Sequence, residues 1–356
     1  MLHDSNHRSA MNGRLFLWFA FAAPMLTACT ADTSSWDDDS MGSSPTALDL
    51  AENAAAAPCS DSAKRVVRVS TAAQLKQALT DAKAGDRIEL ADGTYAGRFA
   101  ATASGTASAP IRLCGSANAI LNGGSSGSGY GFSLKGSYWV LSGFSVTQSQ
   151  KGIMLDSANH NLLTNLEVYD TGMEAIHFRT HSSDNILRDS RIRDTGKANA
   201  GFGEGVYIGS AKSNWGSQTG GKPDKSDRNQ VLNNRIGPGV TAESIDIKEG
   251  TTGGRIEGNT FDGNGMSGDN YADSWIDVKG NGYLLKNNTG KTALLDGFQL
   301  HQAVEGWGND NTFEGNKISG VPNYGIFAVA AVTGTVVRCD NTISGGKGLS
   351  NLTCTK

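Results

Sequence analysis

A short apolar–x–apolar strand pattern recurs seven times in this chain, and its spacing restricts the fold more than any other feature. The intervals between copies are 23, 30, 39, 31, 22 and 28 residues, as for one coil length with loops of different sizes inserted. This spacing predicts a solenoid in which stacked coils bury a continuous aliphatic core. The copies read GIML, AIHF, GVYI, SIDI, WIDV, GFQL and GIFA, in coils that start near Lys151, Glu174, Glu204, Glu243, Ser274, Asp296 and Tyr324.

A second repeat places asparagine at one turn position downstream of the strand. Asparagine side chains stacked at one turn can form hydrogen bonds from coil to coil. An antiparallel sandwich, the alternative, would not need asparagine at the same phase of each repeat. We therefore predict an all-β fold, a right-handed parallel β-helix. The recurring residues are Asn234, Asn259, Asn288, Asn316 and Asn341.

A short helix is predicted over residues 71–84, before the strand signals begin. Thr71 and Gln74 form a possible capping box, Leu75 and Leu79 share one face, and Gly85 ends the pattern. We expect this helix to cap the N-terminal end of the solenoid, where apolar side chains and strand edges would otherwise be exposed.

The N-terminus has the features of an export signal. Arg8 and Arg14 precede a short apolar run, which ends in LTAC. This ending resembles the lipobox of bacterial lipoproteins, which implies a signal peptide over residues 1–29 and lipidation of Cys29. The alternative is an ordinary cleaved signal with a coincidental cysteine. In either case we expect an exported protein, secreted or anchored at the cell envelope. If Cys29 is lipidated, that lipid is its only membrane contact.

Residues 30–62 are rich in Ala, Ser and Asp without periodicity and are predicted to form a flexible linker, and residues 63–356 the β-helix domain. Four further cysteines suggest two disulfides in an exported chain. Sequence proximity favours Cys339 with Cys354, which leaves Cys59 with Cys114. A zinc site is the alternative. The net charge of −4 argues against a nucleic-acid partner, and we expect a monomer.

Stacking converts positions in the repeat into columns on the surface, with about 4.8 Å between neighbouring strands. Two outward columns are ionisable in the middle coils. The first column is Met154, His177, Tyr207, Asp246, Asp277, Gln299 and Phe327. The second is Asp156, Arg179, Gly209, Lys248, Lys279, His301 and Val329. A third column lies at the preceding turn, where the direction of the side chains is open: Glu174, Glu204, Glu243, Ser274 and Asp296.

Like charges become neighbours in these columns, Asp246 beside Asp277 and Lys248 beside Lys279, which is destabilising unless something offsets it. A cation between the carboxylates would do so. Calcium prefers several oxygen ligands, and we predict a calcium site formed by Glu243, Asp246 and Asp277. The alternative is that the carboxylates pair with the two lysines and hold no metal.

The segments GDRIELADGTYAG and ESIDIKEGTTGGRIEGNTF, together with the coil pattern, resemble the parallel β-helix polysaccharide lyases, closest to the chondroitinase B and alginate lyase group. The resemblance implies β-elimination on a uronate polysaccharide, in which calcium neutralises the sugar carboxylate and a Lys or Arg takes the C5 proton. Lys248 matches the lysine base of that group. Lys279 stands where the group has an arginine, which is a departure.

Other residues near the columns suit a sugar groove. His301 is a second candidate for base or leaving-group acid. Tyr207 and Trp275 are predicted to point outward, where a sugar ring could stack on them. The insertion in the 39-residue coil, which contains Trp215, could form a groove wall. The predicted substrate contacts are His177, Arg179, Tyr207, Trp215, Trp275 and Gln299.

Three other functions remain open from the sequence. A glycoside hydrolase on the same fold could use Asp246 and Asp277 as its carboxylate pair. An epimerase would share the proton-abstraction step. A lipid-anchored glycan-binding protein would use the groove for binding alone.

Overall fold

The computed structural model describes residues 59–60 and 62–356, so the expected signal peptide, Cys29 and nearly all of the expected linker lie outside the described residues. The strands of residues 62–356 belong to three sheets, A, B and C, which successive coils visit in that order. Every strand pairs in parallel with the matching strand of the next coil. The predicted all-β parallel β-helix is confirmed.

Sheet A contains β1 (Arg65–Val69), β2 (Asp86–Leu90), β5 (Ile111–Cys114), β8 (Trp139–Ser142), β11 (Leu162–Thr164), β14 (Ile186–Arg188), β17 (Gln230–Leu232), β20 (Arg255–Glu257), β23 (Leu284–Lys286), β26 (Thr312–Glu314) and β29 (Val336–Val337). Sheet B contains β3 (Gly93–Ala96), β6 (Ala119–Asn122), β9 (Ser145–Thr147), β12 (Glu167–Tyr169), β15 (Arg191–Arg193), β18 (Arg235–Ile236), β21 (Thr260–Asp262), β24 (Thr289–Lys291), β27 (Lys317–Ser319) and β30 (Thr342–Ser344).

Sheet C carries the predicted columns. It contains β4 (Phe99–Ala101), β7 (Tyr130–Leu134), β10 (Lys151–Asp156), β13 (Ile176–Arg179), β16 (Val206–Ile208), β19 (Ile245–Ile247), β22 (Ile276–Val278), β25 (Phe298–Leu300), β28 (Tyr324–Ala328) and β31 (Gly348–Ser350). The α-helices are α1 (Ala72–Thr80) and α2 (Trp215–Gln218), and short 3-10 turns span Ala200–Phe202, Lys212–Asn214 and Asp269–Tyr271.

The core is a stack of inward side chains from the three sheets. On sheet C, one inward position is apolar in eight successive strands and buried in each. Full burial of one such side chain stabilises the fold by about 1.5–3 kcal/mol. These residues are Phe132, Ile153, Ile176, Val206, Ile245, Ile276, Phe298 and Ile326.

Helix α1 has the Thr71 half of the predicted capping box, while the Gln74 side chain bonds the residue before Thr71, and the helix is shorter than expected. The Thr71 hydroxyl accepts a hydrogen bond from the Gln74 backbone N, and the Gln74 side chain accepts one from the Ser70 N. The helix ends at Thr80, and Leu75 and Leu79 lie in the solenoid core. Whether α1 acts as the cap of the solenoid stays a prediction.

The predicted asparagines form a buried ladder along one corner of the solenoid. From Asn259 onward, each Oδ1 accepts hydrogen bonds from the backbone N and the Nδ2 of the asparagine one coil before it; Asn259 donates both bonds to Asn288 at 3.0 Å. The Oδ1 of Asn234, the first of the five, accepts from the Ser190 N. Each Nδ2 also donates to a main-chain carbonyl, as Asn288 does to Ile256 at 2.9 Å. A second ladder, through Asn161, Asn185 and Asn229, was not predicted.

Both expected disulfides are present, Cys59–Cys114 and Cys339–Cys354. The first joins the segment before β1 to β5, and the second closes the C-terminal tail onto the turn before β30. Among the described residues, no helix has the length and apolar character needed to cross a bilayer.

We predict that Asn288→Ala lowers the free energy of unfolding by about 2–4 kcal/mol, because it leaves the Asn259 N–H groups and the Ile256 carbonyl without these buried partners. Urea denaturation followed by circular dichroism would measure this. Asn264→Ala, at an exposed turn, is the control and should change stability by less than about 0.5 kcal/mol. Equal effects of the two substitutions would contradict a stabilising ladder.

Candidate active site

The first outward column of sheet C has the predicted register. His177 pairs with Tyr207, Tyr207 with Asp246, Asp246 with Asp277, and Asp277 with Gln299. The two acids of the column therefore lie on adjacent strands, β19 and β22. The lysines that follow these strands reach the same surface, as their contacts with the acids show.

The third column, whose direction the sequence left open, points to the same surface as the first column. Each of its residues is buried and lies three positions before a residue of the first column. Glu174 Oε1 is 3.0 Å from His177 Nδ1, and Ser274 Oγ donates to Asp277 Oδ1 at 3.1 Å. The first and third columns therefore form one hydrogen-bonded set of polar groups on this surface.

Lys279 occupies the place predicted for a cation between the two carboxylates. Its Nζ is 3.0 Å from Asp246 Oδ1 and 2.7 Å from Asp277 Oδ2. Lys248 forms an ion pair with the other oxygen of Asp246, and its Nζ lies 4.9 Å from the centroid of the Tyr207 ring. Both lysine side chains are 14% exposed, compared with 3% for Asp246 and 7% for Asp277, so the lysines are the more accessible members of the group.

The ion pairs fix the charge of these groups. Burial alone would lower the pKa of Lys248 and of Lys279, but Asp246 raises both above the usual lysine range. Burial would likewise raise the pKa of Asp277, yet the adjacent Lys279 and His301 hold it well below its usual range. In the free protein the two lysines are therefore cationic and Asp277 is anionic at neutral pH.

A cluster of three carboxylates lies beside the lysines. Ligand oxygens of Glu204, Glu243 and Asp246 lie within 4.8 Å of one another, and all three residues are buried. Burial, together with Glu174 and Asp246, raises the pKa of Glu204 to about 8. Burial and the carboxylates of Asp246 and Asp277 raise the pKa of Glu243 well above its usual range.

This carboxylate cluster fits a hard divalent cation such as calcium, which takes several oxygen ligands. It differs from the expected ligand set in one residue, because Asp277 interacts with Lys279 and Ser274, and Glu204 is present in its place. Sequence spacing could have indicated Glu204, since it stands three residues before Tyr207, as Glu243 stands before Asp246.

His301 lies at the C-terminal side of the lysines and is held by Gln299. The Gln299 Nε2 donates to Asp273 Oδ1 at 2.7 Å and to Asp296 Oδ2 at 3.1 Å. Its Oε1 therefore faces His301 Nε2, at 2.9 Å. Gln299 acts mainly as a support for His301 in this arrangement.

His177 and Arg179 lie at the N-terminal side and both have partners. His177 is buried between Glu174 and the Gly209 carbonyl, which lies 2.8 Å from its Nε2. Arg179 pairs with Asp156, and its Nη2 donates to the Tyr130 hydroxyl at 3.2 Å. His177 and Arg179 line a depression of about 270 Å³, which also contains Tyr207 and Glu204.

The predicted sugar contact of Trp275 is wrong. Its side chain is fully buried between Phe261 and Phe298, and its Nε1 donates to the Thr292 carbonyl. Trp275 stands at the corner before β22, where strand alternation does not hold, so the side chain turns inward. Gly290 of β24 makes the space, since a Cβ there would lie 2.3 Å from the indole ring.

Trp215 is also unavailable to a sugar in this conformation. It is 7% exposed, and its Nε1 donates to the Ser210 carbonyl at 2.8 Å. The insertion that contains it does line the smaller depression, through Asn214 and Gln218. The wall expected from this insertion is therefore present, but it is polar.

The main cleft has a volume of about 690 Å³ and contains the predicted catalytic residues Lys248, Lys279 and His301. Tyr271, at its rim, is 86% exposed. The sequence placed Tyr271 in a long acidic loop and gave no signal that its ring faces the cleft.

Comparison with known proteins agrees with this geometry. The family description "Pel9A-like, right handed beta helix region" matches residues 55–266. The chain belongs to this family. The predicted resemblance to right-handed β-helix polysaccharide lyases is thereby confirmed, and the Pel9A-like match extends through β19 and Lys248.

Solved structures show the same similarity. An alginate lyase from Paenibacillus sp. str. FPU-7 is 45% identical, with a TM-score of 0.77, over 81% of this chain and 98% of that protein. The pectate lyase Pel9A is 17% identical with a TM-score of 0.61, over 82% of this chain and 81% of its own. A rhamnogalacturonan lyase is 16% identical with a TM-score of 0.52, over 76% of this chain and 80% of its own. The last two show the fold alone. No curated protein matches.

Because the pKa of Glu204 is raised, we predict that the folded protein loses stability as the pH rises. Because the folded value is about 8 and the ordinary value is 4.5, stability falls as the pH rises through this interval. In chelator, Glu204→Gln should therefore melt at the same temperature as the wild type at pH 4.5 and higher at pH 9. We expect a difference of at least roughly 3 °C, which corresponds to about 1 kcal/mol.

Added calcium should raise the melting temperature of the wild type at pH 9 more than that of Glu204→Gln. Glu305→Gln, at an exposed position, is the matched control. Its melting temperature should match that of the wild type at both pH values, with and without calcium. If the melting temperatures of the wild type and of Glu204→Gln change in parallel across this pH range, the pKa of Glu204 is not raised in the folded protein.

Proposed function

We propose that this protein is an exported polysaccharide lyase that cleaves a uronate-containing polymer by β-elimination, with Lys248 as the base. The observation that carries the proposal is the position of Lys248, partly exposed on the floor of an open cleft, beside Tyr207 and Lys279. The 45% identity with an alginate lyase makes alginate the first substrate to test. Two disulfides support export to an oxidising compartment. A lipid anchor at Cys29 is part of the proposal and needs its own test.

β-Elimination requires a base for the proton at C5, next to the sugar carboxylate, and stabilisation of the charge that develops there. Lys248 in its neutral form takes the proton. Lys279 stays cationic between Asp246 and Asp277, and it offers a fixed positive charge to the sugar carboxylate. Both groups are preorganised by the same carboxylate, Asp246, so their spacing is fixed before substrate binds.

Tyr207 is suited to donate a proton to the departing oxygen. Burial and the nearby Asp246 and Glu204 raise its pKa well above 10, so the phenol stays protonated over the working range. Its ring centroid lies 4.9 Å from Lys248 Nζ, and this proximity supports the assignment of both proton transfers to one glycosidic bond. His301, on the other side of Lys279, is the alternative donor.

Glu204, Glu243 and Asp246 would hold a calcium ion in this proposal. The ion would supply a Lewis acid for the sugar carboxylate and offset the negative charge that now favours protonated Lys248. Asp246 is a member of the carboxylate cluster and also forms the ion pair with Lys248. A change of charge in the cluster therefore changes the pKa of the lysine base.

The lyase is favoured over a hydrolase that uses Asp246 and Asp277. A hydrolase needs one carboxylic acid that is protonated near neutral pH. Lys279 contacts both acids and, with His301, keeps the pKa of Asp277 well below its usual range. An epimerase would share Lys248 but release no shortened product.

The reaction type can be tested by incubating the purified protein with alginate, pectate, glucuronan and glycosaminoglycans, with and without chelator. A lyase creates an unsaturated uronate, whose far-ultraviolet absorbance grows as chains shorten. New reducing ends without that absorbance would indicate a hydrolase. Binding with no product at all would indicate a glycan-binding protein, and either result would overturn the proposal.

We predict that Lys248→Ala lowers kcat by at least about 100-fold, the usual contribution of a general base. The fold should persist, because Asp246 keeps its ion pair with Lys279. Initial rates of absorbance and a circular dichroism spectrum would check both statements. Lys286→Ala removes a half-buried lysine of sheet A, outside the cleft, and is the matched control. Full activity of Lys248→Ala would exclude it as the base.

The pH profile should have one rising limb, because Asp246 holds Lys248 protonated and only the neutral amine can act as base. We expect kcat/KM in chelator to rise about tenfold per pH unit between pH 6 and 9. No falling limb should appear below pH 10, since the pKa of Tyr207 is higher still.

Tyr207→Phe tests the proton donor separately. It keeps the ring beside Lys248 and removes only the hydroxyl, so kcat should fall about 100-fold or more while the melting temperature stays unchanged. A bell-shaped wild-type profile with a maximum near pH 7, or full activity of Tyr207→Phe, would exclude the proposed assignments.

A further inference from the structure

Exposed apolar side chains are concentrated in the loops between sheets B and C. Among the described residues, five large hydrophobic side chains are exposed. One, Val66, lies in β1, and the other four lie in these loops. The four are Phe202 before β16, Tyr271 before β22, and Leu294 and Leu295 before β25. An exposed apolar surface confined to one side of a cleft is a feature of a binding site.

The loops are hydrogen-bonded to one another, which fixes the relative positions of the segments that carry these side chains. Asn270 Nδ2 donates to the Gly201 carbonyl at 3.0 Å. The Leu295 N donates to the Asp273 carbonyl at 2.8 Å. The approach at Gly201 is close, because a Cβ there would lie 3.0 Å from the Asn270 Cβ. We call the surface formed by Phe202, Tyr271 and Leu295 the apolar wall.

Tyr271 is held in its exposed position by an unusual backbone. Asn270 and Tyr271 both have positive φ angles, 55° and 65°, which side chains other than glycine adopt at a cost. The hydrogen bond from Asn270 to Gly201 anchors this conformation. The ring of Tyr271 is thereby placed at the rim of the main cleft and away from the core.

The apolar wall runs beside the coil that carries the proposed base. Phe202 lines the smaller depression, whereas Tyr271 and Leu295 line the main cleft. The strand between their coils is β19, which leads into Lys248. A uronate chain in the groove therefore meets charged groups at the floor and apolar groups at this wall.

We propose that the apolar wall binds the C–H faces of sugar rings on both sides of the bond that is cleaved, with Phe202 and Tyr271 as stacking platforms. Pyranose rings present apolar C–H faces between their polar edges, and aromatic rings bind such faces. The wall thereby fixes which edge of the polymer, with its carboxylates, faces Lys248 and Lys279. The proposal rests on the proposed function, since the occupant is the same uronate polymer.

Phe202→Ala and Tyr271→Ala should each raise the KM for the polymer about three- to tenfold, the scale of one aromatic contact, with kcat changed by less than about twofold. Tyr271→Phe keeps the ring and should stay within about twofold of the wild-type KM. Val66→Ala, which removes an exposed apolar side chain from β1 of sheet A and leaves the apolar wall unchanged, is the matched control. Melting temperatures would verify that each variant is folded.

Affinity electrophoresis in gels that contain alginate or pectate gives a second measurement, which needs no catalysis. In the Lys248→Ala background, Phe202→Ala and Tyr271→Ala should reduce the retardation of the protein, and Val66→Ala should not. Unchanged KM and unchanged retardation in both alanine variants would overturn the apolar wall. Retardation of the wild type without any product would instead overturn the proposed function, while the wall could still be judged from binding.

Discussion

Parallel pairing between successive coils is the constraint on which the rest of the structure depends, because it keeps side chains of different coils in fixed columns. The buried asparagines reinforce it at one corner, where each amide bonds both the main chain and the next amide. A shift of one residue would exchange the inward and outward faces of a strand, so the apolar stack on sheet C and the polar columns specify the same register. Residues 31 positions apart, such as Asp246 and Asp277, become neighbours for this reason.

The same stacking brings like charges together, and the structure offsets them with ion pairs between the two acids and the two lysines. The side chains of Lys248 and Lys279 are more exposed than those of Asp246 and Asp277, and each lysine forms an ion pair with at least one of these acids. Buried ion pairs of this kind add little net stability, since desolvation costs about as much as the attraction returns. Their presence on one open surface is better explained by chemistry at that surface than by stability. Burial and the neighbouring carboxylates raise the pKa values of Glu204 and Glu243, although Lys248 and Lys279 act in the opposite direction.

The sequence predicted those parts of the molecule that follow the strand period. The coil starts, the asparagine ladder and the first outward column depend only on alternation and spacing, and all three are present. Corners do not follow that period. Trp275 therefore turned inward against expectation, and the direction of Glu204 and Glu243 could not be read. Tyr271 depends on two positive φ angles and a contact with another loop, which no repeat encodes.

The coupling between the carboxylate cluster and the lysine decides what chemistry the cleft can perform. Asp246 belongs to both, since it contacts Lys248 and Lys279 and lies within 4.8 Å of the other two acids. Each negative charge left in the cluster makes neutral Lys248 rarer, and each charge removed, by a proton or by a cation, makes it more common. A uronate carboxylate entering the cleft adds negative charge at the same place. Substrate binding alone would thus oppose the base, whereas protonation of Glu204, whose pKa is raised to about 8, removes one of the charges that hold Lys248 protonated.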